Sequence, residues 1–192
     1  MVQKSSTQII LQEFFDSPTR NFSMRELSRK AKIAQPSTLN ILRQLVKEKL
    51  IIRDENGLYP TYNANRDDEL FKIYKKQDLI LRLHESGLIN YLYDSCMPAT
   101  IILFGSASLG EDIESSDIDI YLQCKERKLE LAKYEKALNR NISGFFDESL
   151  INIPVHLKNN IINGIVLKGY VDVFSDGTDK SDSKQRKSKK HS

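Results

Sequence analysis

Ile101-Ile-Leu-Phe-Gly-Ser106, followed eleven residues later by Asp117-Ile-Asp-Ile120, decides how the rest of this 192-residue chain is read. Ile101–Phe104 is a short apolar run ending at a glycine, the pattern of a buried strand entering a tight turn. Gly105 lacks a Cβ, so backbone there can approach a bulky anion closely. Ser106 adds a hydroxyl and, where a helical turn follows, a free N–H at the helix end that favours phosphate. Asp117, Ile118, Asp119 and Ile120 alternate. On a strand both carboxylates share one face, roughly 7 Å apart between Cα atoms, and both isoleucines face the core. Two like charges on one face repel unless a cation lies between them, and an all-oxygen pair suits Mg2+ completed by substrate phosphates. A lone Gly-Ser after a strand is usually a turn, and a lone Asp-x-Asp a solvated face. Together, on neighbouring strands, they describe a nucleoside-triphosphate site.

The joint pattern resembles the nucleotidyltransferase superfamily of DNA polymerase β type, whose motif is an apolar strand, Gly-Ser, a variable loop and Asp-apolar-Asp-apolar. Gly105-Ser106, Gly110 and Ser116-Asp117-Ile-Asp-Ile120 match it. Within the superfamily the likeness is to small archaeal proteins that join a winged helix to a minimal nucleotidyltransferase domain, and it spans roughly residues 5 to 172. The resemblance implies that Gly105, Ser106 and Ser116 bind a nucleoside triphosphate, ATP first among them. It implies that Asp117 and Asp119 are catalytic carboxylates holding Mg2+. The superfamily normally draws a third carboxylate from the next strand, here Asn141–Phe146, and the matching position is Ser143. Asp147 has the same strand parity and is a candidate metal ligand if the strand extends. Asp172, in Val171-Asp-Val-Phe174, has the better local pattern but falls late in the family's element order. The minimal family includes antitoxins that adenylylate a HEPN-type toxin, which implies a protein side chain as acceptor.

Charge is divided unevenly along the chain. Residues 1–66 carry 11 Lys and Arg against 6 Asp and Glu, whereas residues 99–124 carry five acids and no Lys or Arg. A basic front and an acidic middle suit a polyanion and a cation respectively. Two cysteines, Cys96 and Cys124, no apolar leader and no uncharged run approaching about 18 residues lead to the expectation of a cytoplasmic protein with reduced thiols and no membrane partner.

The first 66 residues read as three helices and a hairpin. Ser5 or Ser6 caps a helix that Ser17-Pro18 stops, and Ser23 with Glu26 forms a capping box for a second helix through Lys30. The third runs from Pro36 to Lys49, burying Leu39, Leu42, Leu45 and Val46. Leu50–Ile52 and Leu58–Tyr62 pair across Glu55-Asn56-Gly57, where Asn-Gly fits a tight primed turn. This order is a winged helix-turn-helix, and its third helix is expected in the major groove of double-stranded DNA. Gln35, Ser37, Thr38, Asn40, Arg43, Gln44 and Lys47 form the outer face, and Arg53 and Asn56 lie on the wing.

The expected fold class is α+β: a winged helix-turn-helix over 1–66, a helical connector over 67–97, and a small α/β nucleotidyltransferase domain with a mixed sheet over 98–174. A disordered basic tail over 175–192 completes the chain. The connector, opened by Asp67-Asp68 and bent at Ser86-Gly87, reads equally as core packing or as a surface for a homodimer. Glu126–Leu138 reads as a helix, and Pro154–Gly164 as a short one. Three functions remain open on sequence grounds. The first is a DNA-binding protein that binds Mg2+ and triphosphate and transfers a nucleotidyl group to a protein. The second is a regulator whose degenerate transferase-like domain senses nucleotide or dimerises, and the third is an interaction protein alone.

Overall fold

Ser5 begins the fold as the sequence leads one to expect. Its hydroxyl accepts from Gln8 N–H and the Gln8 side chain accepts from Ser5 N–H, a reciprocal cap for α1 (Ser6–Asp16). The computed structural model describes residues 4–151 and 153–171. Among them it has eight helices, a three-stranded antiparallel sheet and a mixed four-stranded sheet, an α+β fold.

After α1 come β1 (Phe22–Ser23), α2 (Met24–Ala31), α3 (Gln35–Lys47), β2 (Ile51–Asp54) and β3 (Thr61–Ala64). The three strands pair in the order β1-β3-β2. Ile10, Phe14, Phe22, Leu27, Leu42 and Leu45 are fully buried beneath them, with Phe14 and Phe22 edge to face at 5.3 Å. Two local expectations are corrected here. Thr38 lies inside this core at 0 % exposure, not on the outer face of α3. Its hydroxyl is satisfied by the Ala34 carbonyl at 3.2 Å, so a polar side chain is buried without loss. The hairpin does not turn tightly at Asn56-Gly57. Gly57 is not in the left-handed region, Asp54 Oδ1 instead accepts from Asn56 N–H at 2.9 Å, and pairing resumes at Thr61, after Pro60, which has no N–H to donate.

Asp68 caps α4 (Glu69–Glu85), accepting from Leu70 and Phe71 N–H. Gly87 at φ 79° redirects the chain into α5 (Leu88–Cys96). The second core then forms around β4 (Thr100–Phe104), α6 (Gly105–Leu109), β5 (Ile118–Leu122), α7 (Ala132–Leu138), β6 (Ile142–Phe146), α8 (Val155–Ile162) and β7 (Ile165–Gly169). Strand order is β6-β5-β4-β7, with β5–β6 parallel and the other pairs antiparallel. Ile101, Leu103, Ile118, Ile120 and Leu122 face α4, α5 and α7, while Ile102, Phe104 and Tyr121 face α8. The helix expected over Glu126–Leu138 starts only at Ala132. Upstream, Tyr91 Oη accepts from Glu130 N–H, Arg127 donates to the Ser95 carbonyl, and Leu129 and Leu131 pack on the core without helical backbone. β7 was not anticipated as a strand, and Asp172 and the tail 175–192 lie outside the described residues.

Residues 67–97 are more than a connector. Phe71 in the first turn of α4 belongs to the N-terminal core, tilted against Phe15 at 5.3 Å, and Leu83 in its last turn belongs to the C-terminal core. Arg82 ties the two together: it donates to Asp16 Oδ1 at 2.5 Å and to the Leu138 carbonyl at 3.0 Å. The opposite face of α4 exposes Leu70, Ile73, Tyr74 and Leu81, the surface read as open to a second copy. Because α4 is part of both cores, Phe71→Ala is expected to cost about 3–5 kcal/mol. It should lower hydrogen-exchange protection in β4 as well as in β3. Loss confined to the first 66 residues would show that the two cores unfold independently.

Candidate functional site

β4 is buried along its whole length, and it delivers Gly105 beside the carboxylate of Asp119. In the antiparallel β4–β5 ladder Asp119 pairs with Phe104, the residue before the turn. Gly105 has φ 70°, a conformation costly for side chains with a Cβ, and an added Cβ would lie 2.5 Å from Asp119 Oδ2. The missing side chain is therefore what lets the acid close over the turn. Gly105 also opens α6, whose N-terminus has no side-chain cap. Gly110 ends α6 at φ 75°, and a Cβ there would be 2.5 Å from the Lys72 carbonyl, so this turn is pressed onto α4.

The alternation read from sequence is realised. Ile118 and Ile120 are fully buried, Asp119 is half-buried, and Asp117 is exposed at the mouth of the strand. Burial, and then the negative charge of Asp117, push the Asp119 carboxyl above the ordinary carboxylate range, against a lowering by Arg140. Ser106 is half-buried. Ser116 is half-buried too, its hydroxyl oxygen accepting from Ile113 N–H at 2.9 Å with its own hydrogen left to donate.

The donor set suits one Mg2+: two carboxylates, Asp119 on β5 and Asp117 in the loop just before it, oxygen only, beside a turn relieved of its Cβ. Among the described residues it does not extend to a second cation. The parallel register sets Ser143, exposed, next to Asp119. Asp147, four residues on, is roughly 13 Å further along the strand direction. Its N–H bonds the Leu122 carbonyl at the opposite end of β5, and its Oδ1 caps Ser149 and Leu150 N–H at 2.9 and 2.7 Å. The structure thus does not bring Asp147 to the aspartate pair. Among the described residues no group of three or more His, Cys, Asp or Glu is arranged to hold a metal.

Sequence reading missed the residues behind the pair. Asp112 is 3 % exposed and Lys75 5 %, with Lys75 Nζ 3.0 Å from Asp112 Oδ1, off the hydrogen-bonding line, while it donates to the Asp112 carbonyl. Arg140 donates from Nη1 to Asp112 Oδ2 at 2.8 Å. One signal was available: Lys75 lies one turn beyond Phe71 on the apolar stripe of α4, where a charge demands a buried partner.

On the other unit Gln35, Ser37, Asn40, Arg43, Gln44 and Lys47 are exposed along α3, and Gln44 bonds Glu48 at 2.9 Å. Arg53 pairs with Glu55 at 3.0 Å and Asn56 is exposed in the β2–β3 loop. A groove of about 410 Å³, floored by Met24, Leu39, Val46 and Tyr62, runs between Arg43 and Arg53. No helix among the described residues is long and apolar enough to cross a membrane. In comparisons with known proteins, no family model, no curated protein and no solved structure matches the chain.

Two substitutions test this geometry. Asp119→Asn should raise the melting temperature at neutral pH. The folded pKa of Asp119 lies above the unfolded one, so its charged form weakens folding as pH rises through the carboxylate range, and the amide removes that penalty. Gly105→Ala should destabilise by roughly 1–2 kcal/mol from backbone conformation alone. An unchanged melting temperature in both would contradict the left-handed backbone at Gly105 and the half-buried, charge-opposed setting of Asp119.

Proposed function

We propose that this chain is a DNA-binding protein of winged helix-turn-helix type whose C-terminal domain is nucleotidyltransferase-like, binds a nucleoside triphosphate with one Mg2+, and transfers nucleotide slowly or not at all. The single observation carrying the nucleotide reading is the seating of Asp119 over Gly105, with Asp117 at the strand mouth beside it. On this reading the backbone of Gly105 and Ser106 and the Ser116 hydroxyl hold phosphate oxygens, and Asp117 and Asp119 hold the cation. Mg2+ bound there would neutralise phosphate charge and orient the triphosphate. Among the described residues no carboxylate stands where it would hold a second cation and take the proton of an attacking hydroxyl, since Ser143 occupies the neighbouring strand position. That observation favours nucleotide sensing over adenylylation of a HEPN-type toxin or any other protein acceptor.

The DNA reading is supported by the exposed polar and basic residues along α3 and by Arg53 and Asn56 on the hairpin. Thr38 has no part in it. Asn40, Arg43 and Gln44 are the side chains with the chemistry to meet base edges, and Lys47 to meet phosphate.

Calorimetry with ATP and Mg2+ on the full-length chain should give a binding isotherm that Asp119→Asn removes. Equal heats from both proteins, or none from either, would contradict the reading. Duplex DNA should shift at low salt, with affinity falling steeply as salt rises; Lys47→Ala should reduce the salt slope by about one, and Arg43→Ala should relax sequence preference. Labelling from [α-32P]ATP should be weak in wild type and unaffected by Asp147→Asn. Ser143→Asp should raise it, and robust labelling by the wild type would overturn the transfer-deficient reading.

A further inference from the structure

The loop between α6 and β5 carries Asp117, yet no ladder hydrogen bond starts before Ile118, whose N–H bonds the Asn141 carbonyl at 2.9 Å. What fixes Asp117 must come from outside the sheet. Arg140 supplies it. Its Nε donates to the Ser116 carbonyl at 2.5 Å and its Nη2 approaches the Asp117 carbonyl at 3.5 Å, while Nη1 is anchored on Asp112 at 2.8 Å. The guanidinium side chain is 10 % exposed. Asn139, left-handed at φ 54°, turns the chain out of α7 so that Arg140 can enter, and Arg140 N–H is held by the Glu135 carbonyl at 3.1 Å. Asp112, in turn, is braced by Lys75 from α4.

We infer that Arg140 is a positioning residue for the cation site: it sets Asp117 by gripping Ser116 and Asp117 at their carbonyls, and buried Asp112 sets Arg140. The inference rests on the reading of Asp117 and Asp119 as cation ligands. A planar fork with donors on three nitrogens suits this task, because two carbonyls of one loop and one carboxylate of the same loop must be held at once. Lys at this place keeps the charge and loses the fork. The arrangement is that of an outer residue orienting a metal ligand, whose removal ordinarily costs about 10–100-fold in metal affinity.

The test uses Mn2+ as the probe, titrated into full-length protein with a non-hydrolysable ATP analogue and followed by the EPR signal of free Mn2+. Wild type, Arg140→Gln, Arg140→Lys and Asp119→Asn are compared, each checked for cooperative thermal unfolding. Arg140→Gln is expected to weaken Mn2+ binding about tenfold or more while still folding, and to broaden the spectrum of the bound ion. Arg140→Lys is expected to fall between it and wild type. Should Arg140→Gln fail to fold, Arg140→Lys decides alone: weakened binding supports positioning, and wild-type affinity overturns it. Wild-type affinity in either Arg140 variant, with binding lost in Asp119→Asn, overturns the inference and leaves the site intact. No Mn2+ bound by wild type, or full binding by Asp119→Asn, overturns the site reading itself and the inference with it.

Discussion

A carboxylate at 3 % exposure, Asp112, held between the ammonium of Lys75 and the guanidinium of Arg140, is the interaction on which this structure turns. Burying three charged groups is costly, and removing one partner of such a set typically destabilises by about 3–5 kcal/mol because the others are left uncompensated. Its return is geometric. Lys75 belongs to α4, Asp112 to the loop after α6, and Arg140 to the exit of α7, so one carboxylate locks three pieces of chain that share no ladder. Burial pushes the Lys75 ammonium below its ordinary range, against the raising effect of the neighbouring Asp112.

The same loop is tied to the N-terminal unit. Thr19 N–H and Oγ1 donate to Glu114 at 3.3 and 2.7 Å, and Lys72 donates to Glu111 at 2.9 Å. Phe71 and Leu83 commit the two ends of α4 to different cores, and the segment bearing Asp117 is bonded both to α4 and to the stretch between α1 and β1. The exposed pairs add little energy individually. Their consequence is positional, since they tie the loop to the corner between α1 and β1.

Much of this was legible because it is local. Ser5, Ser23 and Asp68 announce helix starts by chemistry that needs only the next three residues. The Ile-Asp alternation of β5 needs only strand periodicity. The rest depends on partners far along the chain. Thr38 is not legible locally because a hydroxyl can satisfy itself on the preceding turn, which makes a small polar residue as much at home in a core as on a surface. The Asn56-Gly57 pair yields to Asp54 and Pro60, and a helix over Glu126–Leu131 yields to docking on Tyr91 and Ser95. Arg140, 28 positions from Asp112, carries no local mark at all. The parity of Ser143 was readable, but that Asp147 caps a turn at the far end of β5 required the register.

On the proposed reading the nucleotide site is built for one cation. Crystals grown with Mn2+ and a non-hydrolysable ATP analogue would test it most directly, by anomalous diffraction at the manganese edge. A single strong peak is expected beside the carboxylates of Asp117 and Asp119, in contact with phosphate oxygens. Two peaks sharing those aspartates, or a nucleotide bound elsewhere with no peak there, would contradict it.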